Sequence, residues 1–69
     1  MGYYEFILSF LKKYKNNQFT SENLMTMYYM ETGEFPTRKN FYKALRKLRN
    51  REDIYFYSYK KKYIYKYNK

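Results

Sequence analysis

The segment Pro36–Arg51 constrains this chain more than any other. Phe41, Ala44, Leu45 and Leu48 stand at relative positions 0, 3, 4 and 7, the spacing of one face of an α-helix. Seven of the fifteen Lys and Arg residues lie between Arg38 and Arg51, with no acid among them until Glu52. With the apolar stripe turned inward at about 100° per residue, Lys39, Lys43, Arg46 and Asn50 point outward and Tyr42 sits at the flank. Solvated helix faces are commonly charged, but usually with both signs. A face of one sign argues for a polyanionic partner.

The rest of the chain must supply a core for that helix. Sixty-nine residues make one domain, residues 1–69, with little interior. There is no Cys and no His, which removes disulfide staples, thiolate zinc sites and the usual general base. Twelve Tyr and six Phe remain to fill the core, and aromatic rings bury large areas each. The net charge of +9 favours DNA, RNA or an anionic surface as partner. No apolar run is long enough to span a bilayer, and no basic region precedes an apolar stretch at the amino end. A cytoplasmic location, in a cell or a host cell, is expected, with no membrane partner.

Two further helices precede Pro36. Tyr3, Phe6, Ile7, Phe10, Leu11 and Tyr14 recur at three- and four-residue steps and predict a helix over 3–15. Thr20 has the chemistry of an N-cap, with Phe19 and Leu24 at the spacing of a hydrophobic staple. That helix should run over 20–32 and stop at Gly33, which suits a left-handed C-cap. Met25, Tyr29 and Met30 lie partly off its main stripe and are expected to fill the core, an exposed contact surface being the alternative. Glu34-Phe35-Pro36 forms a turn, and Thr37 is expected to cap the third helix, residues 37–50.

From Ile54 the period changes to two. Ile54–Tyr59 and Tyr63–Tyr67 flank Lys60-Lys61-Lys62, a β-hairpin pattern over 54–59 and 63–67. A three-residue tip would pair Tyr59 with Tyr63. It would place Ile54, Phe56 and Ile64 on one face with Ser58 and Lys66, and six tyrosines (55, 57, 59, 63, 65 and 67) on the other. A two-residue tip would redistribute them. Residues 17–21 are candidates for a short first strand.

Three helices followed by a hairpin, an α+β arrangement, match the order of a winged-helix domain. Gly33-x-x-Pro36-Thr37-x-x-x-Phe41-x-x-x-Leu45 is similar to a pattern in winged-helix segments attached to phage and viral primase-helicases, although the tryptophan often seen in their second helix is absent. The resemblance spans about a third of the chain and implies a nucleic-acid-binding fold. By analogy with helix-turn-helix docking, Thr37, Arg38, Lys39, Tyr42, Lys43 and Arg46 would face the major groove. Lys60, Lys61 and Lys62 would touch the backbone from the wing. Double-stranded DNA is the expected partner, for a transcriptional regulator or a replication factor of a phage or mobile element. The tyrosines offer an alternative, with Tyr57 and Tyr65 as candidate base-stacking residues of a single-stranded DNA-binding accessory to a polymerase, primase or helicase. A third alternative is an adaptor or inhibitor that binds an acidic protein. A homodimer is also conceivable, with Tyr3, Tyr4 and Met30 as its candidate surface. No arrangement suits catalysis, a metal or a cofactor: the serines lack a histidine and no glycine-rich phosphate loop exists.

Overall fold

The computed structural model describes residues 2–68. Its order is α1 (Tyr3–Lys13), β1 (Phe19–Thr20), α2 (Ser21–Thr32), α3 (Arg38–Leu48), β2 (Ile54–Tyr59) and β3 (Lys62–Tyr67). The fold is α+β, three helices and a three-stranded antiparallel sheet with strand order β1-β3-β2.

Helix α1 buries Phe6, Ile7, Phe10 and Leu11, with Glu5 in its first turn and Lys12 and Lys13 in its last, charges that match the helix dipole. It stops two residues short of Lys15, and Asn16 takes a left-handed φ of 71° just beyond it. Helix α2 opens with a reciprocal cap. Thr20 Oγ1 accepts from the Asn23 N–H at 3.0 Å, and Asn23 Oδ1 accepts from the Thr20 N–H at 3.2 Å. Asn23 takes the role more often filled by Glu or Gln. The helix ends at Gly33, whose φ of 78° is left-handed and whose N–H reaches the Tyr29 carbonyl at 2.7 Å.

The buried face of α2 is narrow: Ser21, Leu24 and Tyr28. Met25 is half-buried, but Tyr29 and Met30 do not enter the core as expected; they are 40% and 70% exposed. They follow Tyr28 by about 100° and 200° of helical rotation, which carries them past the buried face. Tyr29 stacks instead on exposed Phe35, with ring centroids 4.1 Å apart and planes 11° from parallel.

Helix α3 buries the stripe its sequence marks: Phe41, Ala44, Leu45 and Leu48. Thr37 is its N-cap residue, and its carbonyl accepts from the Phe41 N–H at 2.8 Å. The expected side-chain cap does not form. The backbone at Thr37 differs from that at the capping Thr20, with ψ 116° against 164°. The Thr37 N–H itself donates to the Tyr3 hydroxyl at 2.9 Å, tying α1 to the start of α3.

The hairpin corrects the expected register. Tyr59 pairs with Lys62, not Tyr63, so the turn has two residues, Lys60 and Lys61. Their φ values of 50° and 65° are those of a type I′ turn, whose twist suits the flanking strands. A shift of one residue sends every β3 side chain to the opposite face. Tyr65 is therefore fully buried, while Ile64 points away from the core opposite Tyr57. The left-handed backbone costs about 1–2 kcal/mol per non-glycine residue. Burial of the Tyr65 ring offsets it, with Phe56 and Tyr67 packed alongside the core on the same face. Strand β1 lies on the other edge of β3, pairing Phe19 with Tyr65 and Thr20 with Ile64.

Candidate nucleic-acid interface

The exposed side of α3 carries Lys39, Lys43 and Arg46, all solvent-facing, within about 60° of helical arc. Asn50, expected on the same helix face, is exposed but lies in the turn beyond Leu48, where α3 ends two residues short of the expected 37–50. The flank toward the sheet carries Arg38, Tyr42 and Arg49. Arg38 donates to the Tyr42 hydroxyl at 3.1 Å, and its guanidinium lies 5.6 Å from that ring's centroid. A partly formed arginine rotamer of this kind loses less side-chain entropy when a ligand arrives.

An open cleft of about 270 Å³ joins this flank to the hairpin turn. Arg38 and Tyr42 line one wall, Lys61, Lys62 and Tyr63 another, and Thr20, Ser21 and Glu22 of the α2 amino end a third. Three cations from two elements far apart in sequence thus meet in one hollow beside a helix N-terminus, a combination suited to phosphate oxygens. Glu22 is the one acid on its wall. Lys60 lies outside the cleft wall, with its ammonium 5.4 Å from the Tyr59 ring centroid. Thr37 is exposed at the head of α3, its N–H committed to Tyr3. On the far flank of α3, Asn40, Lys43 and Lys47 line a second hollow of about 510 Å³ with Gly2, Tyr3, Tyr4 and Ala44.

Two of the seven basic residues of this segment are internal ties. Arg49 donates to the Tyr65 hydroxyl through Nε and Nη2 at 3.2 and 3.1 Å. Its guanidinium sits 4.4 Å from the Phe56 ring centroid and 4.5 Å from that of Tyr63. It therefore fixes the hairpin against the end of α3. Rotation along the helix places Arg49 only about 20° from Arg38 and Tyr42, so its flank position was readable from sequence; its hairpin partners were not. Arg51 makes a two-pronged pair with Asp53, both contacts at 2.8 Å, and a third bond to the Tyr4 hydroxyl at 3.2 Å. The bond from Arg51 holds the Asp53 carboxyl below its usual range, and the carboxylate in turn raises the guanidinium. This is the one ion pair among the described residues, so the cations of the α3 face and the turn have no acidic partner there.

The two candidate stacking residues separate. Tyr65 is buried beneath Arg49 and has no surface to offer a base. Tyr57 is half-buried on the outward face of the sheet, and its hydroxyl donates to Gln18 Oε1 at 2.7 Å. Its neighbours Tyr55 and Tyr59 are 50% and 58% exposed on that same outward face; the alternation marks them once the register is known. The candidate dimer residues also part company. Tyr3 and Tyr4 are half-buried and serve Thr37 and Arg51, with the Tyr3 ring against Tyr28 and Phe41. Met30 stays exposed.

Among the described residues, no group of acidic side chains has metal-binding geometry, and no helix is long and apolar enough to cross a membrane. No protein-family model, curated protein or solved structure matches this chain.

Proposed function

We propose that this chain is a winged-helix domain that binds double-stranded DNA without catalysing a reaction, as a transcriptional regulator or replication factor. α3 would lie in the major groove, with Lys39, Lys43 and Arg46 facing the bases and inner phosphates. The hairpin turn would act as the wing, and the cleft between Arg38 and Lys61–Lys62 would receive the sugar-phosphate backbone. The observation that carries this is the acid-free α3 face continuing into a cleft where Arg38 meets the turn lysines. Arg46 is the residue best suited to a guanine edge, because guanidinium can bond O6 and N7 together.

Fluorescence anisotropy with a labelled duplex across a salt series tests the proposal. Arg38, Lys39, Lys43, Lys61 and Lys62 engaging about five phosphates give a log K against log[salt] slope of about −4.5. The double variant Lys43→Ala/Arg46→Ala should reduce the magnitude of that slope by about 0.9, through the Lys43 phosphate contact, and lose sequence preference through Arg46. Absence of duplex binding at low salt, or an unchanged slope in the double variant, would defeat the proposal.

A further inference from the structure

The outward face of the sheet meets the duplex interface just described only at its margin, through Lys62 and Thr20 of the cleft wall, and its composition is unusual. The register and the alternation of strand side chains put Tyr55, Tyr57 and Tyr59 on it from β2, Lys62, Ile64 and Lys66 from β3, and Thr20 from β1. No acid stands among these residues, and Ile64 is their one aliphatic side chain. We infer that this face is a stacking platform for single-stranded nucleic acid, separate from the α3 surface.

Three features support that occupant. First, the rings form a row along one edge strand, carried by alternate residues whose backbone positions are roughly 7 Å apart. Tyr55 and Tyr57 are tilted by 51° with centroids 5.5 Å apart, so they are not closed face to face. Tyr59 has no aromatic partner among the described residues, and more than half of it is exposed. Second, the row is held in place. The Tyr57 hydroxyl is bonded to Gln18, and the Lys66 ammonium lies 5.5 Å from the Tyr55 centroid. Third, the charge is complementary. Lys62 and Lys66 stand directly across from Tyr59 and Tyr55, so each exposed ring has a cation at its side to meet a phosphate. Bases of a duplex are already stacked on one another and cannot use such rings, whereas unpaired bases can. A protein partner would find a face with little aliphatic surface to bury.

The platform does not depend on the duplex proposal, and one set of variants separates the two. The probe is a fluorescein-labelled oligothymidylate of about 10 nucleotides, within the usual site-size range for such surfaces. Tyr55→Ala and Tyr59→Ala should each weaken binding about 5- to 160-fold, because both rings are exposed and neither holds the core. Tyr55→Phe/Tyr59→Phe should stay within about twofold of wild type, since stacking needs the ring and not the hydroxyl. Duplex affinity of Tyr55→Ala/Tyr59→Ala should be unchanged. Wild-type oligothymidylate affinity in a folded Tyr55→Ala/Tyr59→Ala variant overturns the inference, as does no binding by the wild type at low salt. So does loss of strand binding in Lys43→Ala/Arg46→Ala alone, which would put the strand on α3. Should the alanine variants unfold, photo-crosslinking of the wild type to the same probe decides. Crosslinks in residues 55–59 support the platform, and crosslinks confined to residues 38–46 overturn it.

Discussion

Tyr65→Phe removes one oxygen from the interior, and its effect follows from what Arg49 does there. The phenol accepts two N–H bonds from the guanidinium, and bonds to a charged group contribute about 1.5–3 kcal/mol when fully enclosed. Arg49 is half-buried, so water replaces part of what is lost. The guanidinium also keeps its place between Phe56 and Tyr63, a cation–π contact of about 0.5–1 kcal/mol per ring at an accessible site. The expected loss is therefore about 1.5 kcal/mol, a fall in Tm of about 6–12 °C for a domain of this size. Arg49→Ala should lose about 3 kcal/mol, because the bonds, both ring contacts and the aliphatic stem all go. Thermal and urea melts of the two single variants and the double variant form a cycle. In the Arg49→Ala background, Tyr65→Phe should have almost no effect, since the phenol then has no partner to lose. That leaves a coupling of about 1–1.5 kcal/mol. Additivity within about 0.3 kcal/mol would show that Arg49 does not clamp the hairpin through Tyr65.

Other consequences can be checked with the same instruments. Leu45→Ala, at a core position, should cost about 3 kcal/mol, most of the stability a chain this small commands, and should largely abolish the helical circular dichroism signal at 37 °C. Gly33→Ala should cost about 1 kcal/mol in a melt. An added Cβ would meet nothing within 4 Å, so the whole cost is backbone conformation, and Gly33→Asn should recover part of it. Lys60→Asn/Lys61→Gly gives the turn the residues its left-handed φ values favour and should raise stability by about 1–2 kcal/mol. In the same variant, loss of the Lys61 phosphate contact should reduce the magnitude of the duplex salt slope by about 0.9. The depressed Asp53 carboxyl stabilises the fold above the ordinary carboxylate range, and that contribution disappears as pH falls through its folded value. Wild type should therefore exceed Asp53→Asn in urea stability near neutrality, with the gap narrowing as pH falls below the ordinary carboxylate range; a gap independent of pH would exclude the ion pair as its source.

Helical elements were legible in the sequence because each is specified by residues close along the chain. The α3 stripe, the Thr20 cap and the Gly33 stop all depend on spacings of a few residues. Local pattern was less able to place Tyr29 and Met30, since apolar character alone does not say how wide a helix's buried face will be. The hairpin was legible as two strands but not in register. Lys60-Lys61 carries no glycine or asparagine to announce a tight turn, and both faces offered tyrosines. Only the competition between Tyr65 and Ile64 for one interior position decides it, and that depends on helices 20–60 residues away. The α3 cations were found from sequence for the same local reason as the stripe opposite them. What sequence could not separate was the cation that remains outside, such as Arg46, from the cation drawn into the fold, such as Arg49.

The strand order carries a consequence for how the protein is made. Strand β3 is the middle of the sheet, yet it follows both of its neighbours in the chain. Thr20 waits for Ile64, 44 residues later, which at about 5–20 residues per second is roughly 2–9 s of synthesis. Through that interval Phe19 has no strand to pair with, and the helices lack the Tyr65 ring that completes their interior. The sheet therefore cannot be completed before residues 62–67 are made, and they must enter between two strands already translated.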